Sequence, residues 1–201
     1  MKREPPVYRL IQAGFDSPEE MLAILRKEPE LLEERTGLGE TALHYLSVEN
    51  QLRAVTALVE VGAQVNTLNE CNQTPLSEAA SLGYDELVKY LLSKGAKLHV
   101  SGQDDPTLHA AVRGGNSEVV KHVLAAGALI DERNGIKETA LHLAAEDEKL
   151  DILELLLGAG ADPRLKRIFG ETPLDLAISA GRTACTQALL AAGAPRGEDA
   201  A

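Results

Sequence analysis

The chain has 201 residues, 44% of them hydrophobic and 3% aromatic, with 31 acidic side chains against 20 basic ones for a formal net charge of -11. That excess disfavours a nucleic-acid backbone or an anionic membrane as the main partner, so no nucleic acid and no membrane insertion are expected; it favours a basic protein surface. The length allows one domain or two.

The two cysteines, Cys71 and Cys185, show neither CxxC nor Cys/His spacing, which excludes a disulfide scaffold and common zinc modules and fits a reducing compartment. The first residues, "MKREPPVYRLIQAG", lack the apolar run of a secretory signal, and nowhere do about 18 apolar residues follow one another. A cytoplasmic protein is expected, with export by a specialised secretion system as the open alternative.

Residues 8–40 contain "SPEE", which places Ser17 as a helix cap, Pro18 in the first turn and Glu20 three residues after the serine, the pattern of a capping box. Met21, Leu22 and Leu25 then fall on one apolar stripe. From residue 41 onward the chain repeats. "TALHYLSVENQ" at Thr41, "TPLSEAASLGY" at Thr74, "PTLHAAVRGGN" at Pro106, "TALHLAAEDEK" at Thr139 and "TPLDLAISAGR" at Thr172 are spaced by 33, 32, 33 and 33 residues. Gly-Ala pairs at Gly62, Gly95, Gly127, Gly160 and Gly193 keep the same spacing, irregularity included. Such self-similarity signals a solenoid.

Within each repeat the threonine hydroxyl can cap a first helix, and Pro75 and Pro173 have the φ its first turn needs. Asn50, Gly83, Gly115 and Gly181 supply left-handed turns into a second helix. Those second helices carry apolar pairs one turn apart: Leu87, Val88, Leu91, Leu92; Val119, Val120, Val123, Leu124; Ile152, Leu153, Leu156, Leu157. Polar stretches such as "KLHVSGQDD" and "DPRLKRIFGE" separate the repeats as extended, hairpin-like fingers. Three departures mark irregular places: the third finger is one residue short, Lys137 stands where Gly39 and Gly170 stand in other fingers, and Glu148 replaces the helix-turn glycine.

The TPLxxAA start, the glycine turn, the apolar second helix and the closing GAD-type turn resemble ankyrin repeats across about residues 39–194. The resemblance implies an all-α solenoid of stacked helix-turn-helix repeats joined by β-hairpin-like fingers. The expectation is one domain over 1–201, with repeats at about 8–40, 41–73, 74–105, 106–138, 139–171 and 172–195 and a frayed tail at 196–201. Residues 8–40, without threonine start or Gly-Ala turn, read as a diverged N-terminal cap. The last repeat, with Thr186 in an aliphatic position, reads as its C-terminal counterpart.

His142 shares its phase with His44 and His109, while Ser77 and Asp175 fill the same position elsewhere, so it reads as a hydrogen-bonding post at the start of a first helix. Helices pack about 8 to 10 Å apart whereas zinc-bound histidines reach the ion at about 2 Å, which argues against a metal shared by His109 and His142. Phosphate-loop, nucleophile-elbow and zinc-protease motifs are absent, and no enzyme, cofactor or metal is expected. The alternative is a weak metal-assisted hydrolase built on His109, His142 and Glu146 with the neighbouring Glu138 and Asp147. Cys185 reads as a small buried hydrophobe and Cys71 as a residue near a fingertip.

Function then rests on a surface. By the ankyrin resemblance, contacts come from fingertips and the exposed ends of first helices: Leu38, Glu40, Glu49, Asp105, Ile136, Glu138, Glu146, Asp147, Ile168 and Phe169, with Glu70, Cys71, Gln73, Asp104, Arg113 and Glu171 alongside. The carboxylates predict an acidic groove that steers a basic partner, and Ile136, Ile168 and Phe169 are candidate apolar anchors. The expected function is a monomeric scaffold, adaptor or inhibitor whose partner is another protein with a basic or mixed basic and apolar surface.

Overall fold

Every first helix from residue 41 onward begins where a side chain or a proline ends the finger before it. Thr41, Thr74 and Thr172 are extended cap residues whose hydroxyls accept the backbone N–H three residues on. Pro75 and Pro173 occupy the first turns. The computed structural model describes residues 5–196 and is helical, with no strand among the described residues. It divides into two compact units, Met1–Gln103 and Asp104–Ala201.

In the N-terminal unit the helices are α1 (Val7–Asp16), α2 (Pro18–Leu25), α3 (Ala42–Val48), α4 (Leu52–Glu60), α5 (Pro75–Ser81) and α6 (Asp85–Ser93), with a 3-10 turn at Pro29–Leu32. First helices stack on first helices, α1 on α3 and α3 on α5; second helices do the same, α2 on α4 and α4 on α6. The C-terminal unit repeats the plan with α7 (Thr107–Gly114), α8 (Ser117–Ala125), α9 (Ala140–Glu146), α10 (Leu150–Gly158), α11 (Pro173–Ser179) and α12 (Thr183–Ala191). There α9 lies between α7 and α11, and α10 between α8 and α12.

The expected stripes form the core. Leu87, Val88, Leu91, Val119, Val120, Val123, Ile152, Leu153 and Leu156 are buried, each such side chain worth about 1.5 to 3 kcal/mol of transfer free energy. Leu92, Leu124 and Leu157, one step round the helix, are only half-buried. Cys185 is buried and its thiol pKa is raised by desolvation, as expected of a core residue, whereas Cys71 is exposed.

The helix turns at Asn50, Gly83, Gly115 and Gly181 are left-handed, and Glu148 adopts the same conformation at φ 58°. Lys137 likewise takes φ 60°, matching Gly39 and Gly170, so both departures keep the local fold at the cost of non-glycine strain. Gly39 has a second reason to lack a side chain, since a Cβ there would approach Glu70 Cγ at 2.7 Å.

The fingers are turns closed by their own backbone: Thr36 N–H to Glu40 C=O, 2.8 Å; Asn69 to Gln73, 3.0 Å; Asn134 to Glu138, 3.0 Å; Arg167 to Glu171, 3.0 Å. Neighbouring fingers are joined by Glu70 N–H to Leu38 C=O at 3.2 Å and by Ile168 N–H to Ile136 C=O at 2.9 Å. Below them a polar side chain staples one repeat to the next at three junctions within the two units. Glu33 accepts from Gln64 N–H, Asn66 from Lys97 N–H and Asp131 from Asp162 N–H.

The cap at residues 8–40 departs from expectation in one detail. Ser17 Oγ accepts from Glu20 N–H, but the reciprocal half of the capping box is missing because Ser17 N–H is already held by Ala13 C=O at 2.8 Å. Met21 and Leu25 are buried there and Leu22 only partly. The tail expected to fray at 196–201 lies, apart from Arg196, outside the described residues.

Candidate interaction surface

The repeated histidines are structural posts. Thr139 N–H donates to His142 Nδ1 at 3.2 Å, so the ring proton sits on Nε2, which donates to Glu171 C=O at 3.3 Å. His44 repeats this with Thr41 N–H at 3.3 Å and Thr67 C=O at 3.1 Å. Each ring thus ties its first helix to the following finger. Burial pushes both pKa values down to about 4, and the rings are neutral at pH 7.

His109 donates from Nε2 to Glu138 C=O at 2.9 Å, but its Nδ1 has no partner, because the cap residue Pro106 offers neither hydroxyl nor N–H. With Nε2 of His109 and of His142 facing backbone carbonyls, their ring geometry is that of clamps. Among the described residues no cluster of three His, Cys, Asp or Glu side chains has metal-binding geometry.

The candidate contact residues fall in both units. In the N-terminal one, Leu38 is 63% exposed at its fingertip, Glu49 is exposed at the end of α3, and half-buried Glu40 accepts from the Thr36 hydroxyl at 3.2 Å. The other seven lie in the C-terminal unit. Ile136 is 43% exposed, Ile168 56% and Phe169 76%, so none of the three is buried by its neighbouring finger. Ile178 on α11, 42% exposed, borders a hollow of about 410 Å³ beside Phe169.

The acidic groove needs correction. Glu138 does not project into solvent: it is 4% exposed, its Oε1 lies 3.6 Å from Arg167 Nη1, and burial raises its pKa. Arg167, with 18% of its side chain exposed, also stands 3.7 Å from Glu146 and makes a paired hydrogen bond to Glu171 at 3.1 and 3.2 Å. That fork holds the Glu171 carboxyl below its usual range. Asp105 pairs with Arg113 at 2.7 Å and Asp147 with Lys149 at 3.3 Å. Each of the four steering carboxylates of this unit therefore has a cation at ion-pair distance, and the surface is an alternating charge network.

Arg167 organises that network, and its guanidinium carbon lies 5.9 Å from the centroid of the Phe169 ring, which ties the exposed aromatic to the ion-paired cluster. In the sequence Arg167 stands only as one residue of the polar finger "DPRLKRIFGE", with nothing to separate it from its neighbours. The available signal was the i,i+4 spacing of Arg167 and Glu171 across one finger.

Residues 10–101 and 108–197 match the family model described as ankyrin repeats in three copies, a match that begins inside the diverged cap. The chain is 33% identical over 117 residues to a transient receptor potential cation channel subfamily A member 1 homolog of Caenorhabditis elegans, covering 58% of this chain and 10% of that protein. It is 40% identical over 66 residues to protein phosphatase 1 regulatory subunit 27 of Homo sapiens, covering 33% of this chain and 43% of that one. It is also 40% identical over 86 residues to interferon antagonist OPG040 of Vaccinia virus (strain Western Reserve), covering 41% and 29%. The chain spans less than half the length of each of these relatives. No helix among the described residues is long and apolar enough to cross a membrane. Ankyrin repeats are in general protein-interaction modules and typically not catalytic in themselves. With both halves matched and the capped helix pairs in place, the chain belongs to the ankyrin-repeat family.

Proposed function

We propose that this chain is a non-catalytic interaction module that binds a partner protein stoichiometrically, as scaffold, adaptor or inhibitor, through the fingertips and first-helix ends of its C-terminal unit. The observation that carries this reading is the exposed apolar trio Ile136, Ile168 and Phe169, two of them on adjacent fingers bonded to each other through the backbone, rimmed by ion-paired charges. Large apolar side chains exposed beside a polar rim are what desolvated binding anchors look like before a partner arrives. The partner surface is apolar where it meets the tips and mixed in charge where it meets the ion-paired network around Glu146 and Asp147; Leu38, Glu40 and Glu49 offer a secondary contact in the N-terminal unit.

A monomer working in the cytoplasm fits two cysteines that are both free. The test is capture from a lysate of the source cell by the native chain and by an Ile136→Asp, Ile168→Asp, Phe169→Asp variant, after matching their helical signal and melting. The reading expects a protein retained by the native chain and lost by the variant. Equal retention by both would move the contact off the tips.

A further inference from the structure

One position in the finger is filled differently in the two units. In the C-terminal unit Arg167 opens a finger that its N–H closes on Glu171 C=O, and its guanidinium lies 3.6 Å from Glu138, the last residue of the finger before. In the N-terminal unit the residue that opens the equivalent finger is Asn69, and Glu40 ends the finger before it. Asn69 is neutral and uses both ends of its amide: Nδ2 donates to Glu78 Oε1 at 2.8 Å, and Oδ1 accepts from Cys71 N–H and Gln73 N–H. Arg35, the one cation of residues 33–40, is turned to backbone, with Nη1 donating to Gly39 C=O and Leu68 C=O. Among the described residues neither Glu40 nor Glu78 has a cation at ion-pair distance. Glu78 is 6% exposed, yet its Oε2 has no hydrogen-bond partner, an unfavourable state for a buried polar atom. Asn69 fixes that carboxyl at the base of the second finger, and Glu40 acts on it from the first. Leu38 and Glu70, on the fingertips bonded to each other, are exposed.

We propose that the junction of the first two fingers receives an arginine side chain of the partner protein, its guanidinium seated between Glu40 and Glu78 and an adjoining aliphatic side chain resting on Leu38. Charge complementarity selects a cation, and a planar fork of donors suits two carboxyl groups. Arg167, on Glu138 and Glu171, shows within this chain that the same frame takes a guanidinium. The side chain of Glu40 has a single hydrogen bond, from the Thr36 hydroxyl at 3.2 Å, so it can turn to admit the group. A metal ion fits poorly: among the described residues no three His, Cys, Asp or Glu side chains have metal-binding geometry, and the Asn69 amide oxygen is already taken.

The proposal rests on reading the fingers as an interaction surface, but it uses the N-terminal unit and not the Phe169 tip. The test titrates acetyl-Leu-Arg-Leu-amide against the full chain, followed by amide chemical shifts, alongside the citrulline peptide, which is similar in shape and uncharged. Expected are saturable shifts centred on residues 36–40 and 69–78, binding that weakens with salt, and about tenfold weaker binding both of the citrulline peptide and by Glu40→Gln. Asn69→Arg supplies the cation from within the chain and is expected to abolish binding. Should that variant perturb the finger, Glu40→Gln, which keeps an acceptor for the Thr36 hydroxyl, still decides. The Ile136→Asp, Ile168→Asp, Phe169→Asp variant is expected to bind the peptide as the native chain does, so failure of the tips and failure of this site are told apart. No saturable shift, equal binding of the citrulline peptide, binding undiminished in Glu40→Gln, or shifts centred on the C-terminal unit would overturn the proposal.

Discussion

Two buried carboxylates, Glu78 in the N-terminal unit and Glu138 in the C-terminal one, meet the same problem by different means. Glu78 is 6% exposed, accepts one hydrogen bond from Asn69 Nδ2 at 2.8 Å, and leaves its other oxygen without a partner. Among the described residues no cation lies at ion-pair distance from it. Desolvation, with Glu40 adding repulsion, pushes its pKa up to about 8, so a proton is its counterion at neutral pH. Glu138 is buried to a similar degree but faces Arg167, which also holds Glu146 and Glu171. One unit neutralises its acid with a proton and the other with a guanidinium, and the second solution also builds the surface on which Phe169 is displayed.

The largest expected effect comes from removing that guanidinium. Arg167→Ala leaves Glu138 buried beside no cation and frees Glu171, and is expected to destabilise the C-terminal unit by about 3 kcal/mol in urea unfolding. The loss of a single buried cation is the mechanism, so Arg167→Lys is expected to recover part of it; equal losses in both variants would contradict that account.

Next is Glu78→Gln, which removes the titration and keeps the oxygen that Asn69 contacts. The folded pKa of about 8 is above the ordinary 4.5, so the folded state holds the proton more tightly. The stability this confers is complete below about pH 4.5 and is lost as pH rises through about 8. The variant is therefore expected to match the native chain near pH 4 and to exceed it progressively as pH rises through about 8. Parallel curves across that range would contradict the proton as counterion.

Smaller effects test the repeat-to-repeat plan. Pro106→Thr is expected to add about 1 kcal/mol by giving His109 Nδ1 the N–H and hydroxyl that His44 and His142 already have, read as a raised melting temperature. Lys137→Gly is expected to add roughly 0.5 to 1 kcal/mol by relieving a left-handed lysine. Destabilisation by either would show that the repeats tolerate these departures for a reason beyond local geometry.

The contrast between the two carboxylates also marks what could be read from the sequence. Caps, turns and stripes were legible because they recur: Thr41, Thr74, Thr139 and Thr172 repeat one local chemistry, and Leu87, Val119 and Ile152 one buried position. The histidine post was legible for the same reason. Glu78 was not, since the corresponding residues are Tyr45, Ala110, Leu143 and Leu176, and nothing periodic announces a buried acid. Glu138 read as exposed because it follows the fingertip; its burial depends on how the next finger lays Arg167 across it. Glu33, Asn66 and Asp131, which staple one repeat to the next, are a periodic signal that went unread because the residue types differ.

Amide hydrogen exchange of the chain alone and in complex with its captured partner tests the central claim most directly. The account predicts slowed exchange in residues 134–138 and 167–171, with the second helices α8 and α10 unchanged. Slowing confined to α8 and α10, with the tips around Ile136, Ile168 and Phe169 exchanging as in the free chain, would contradict it.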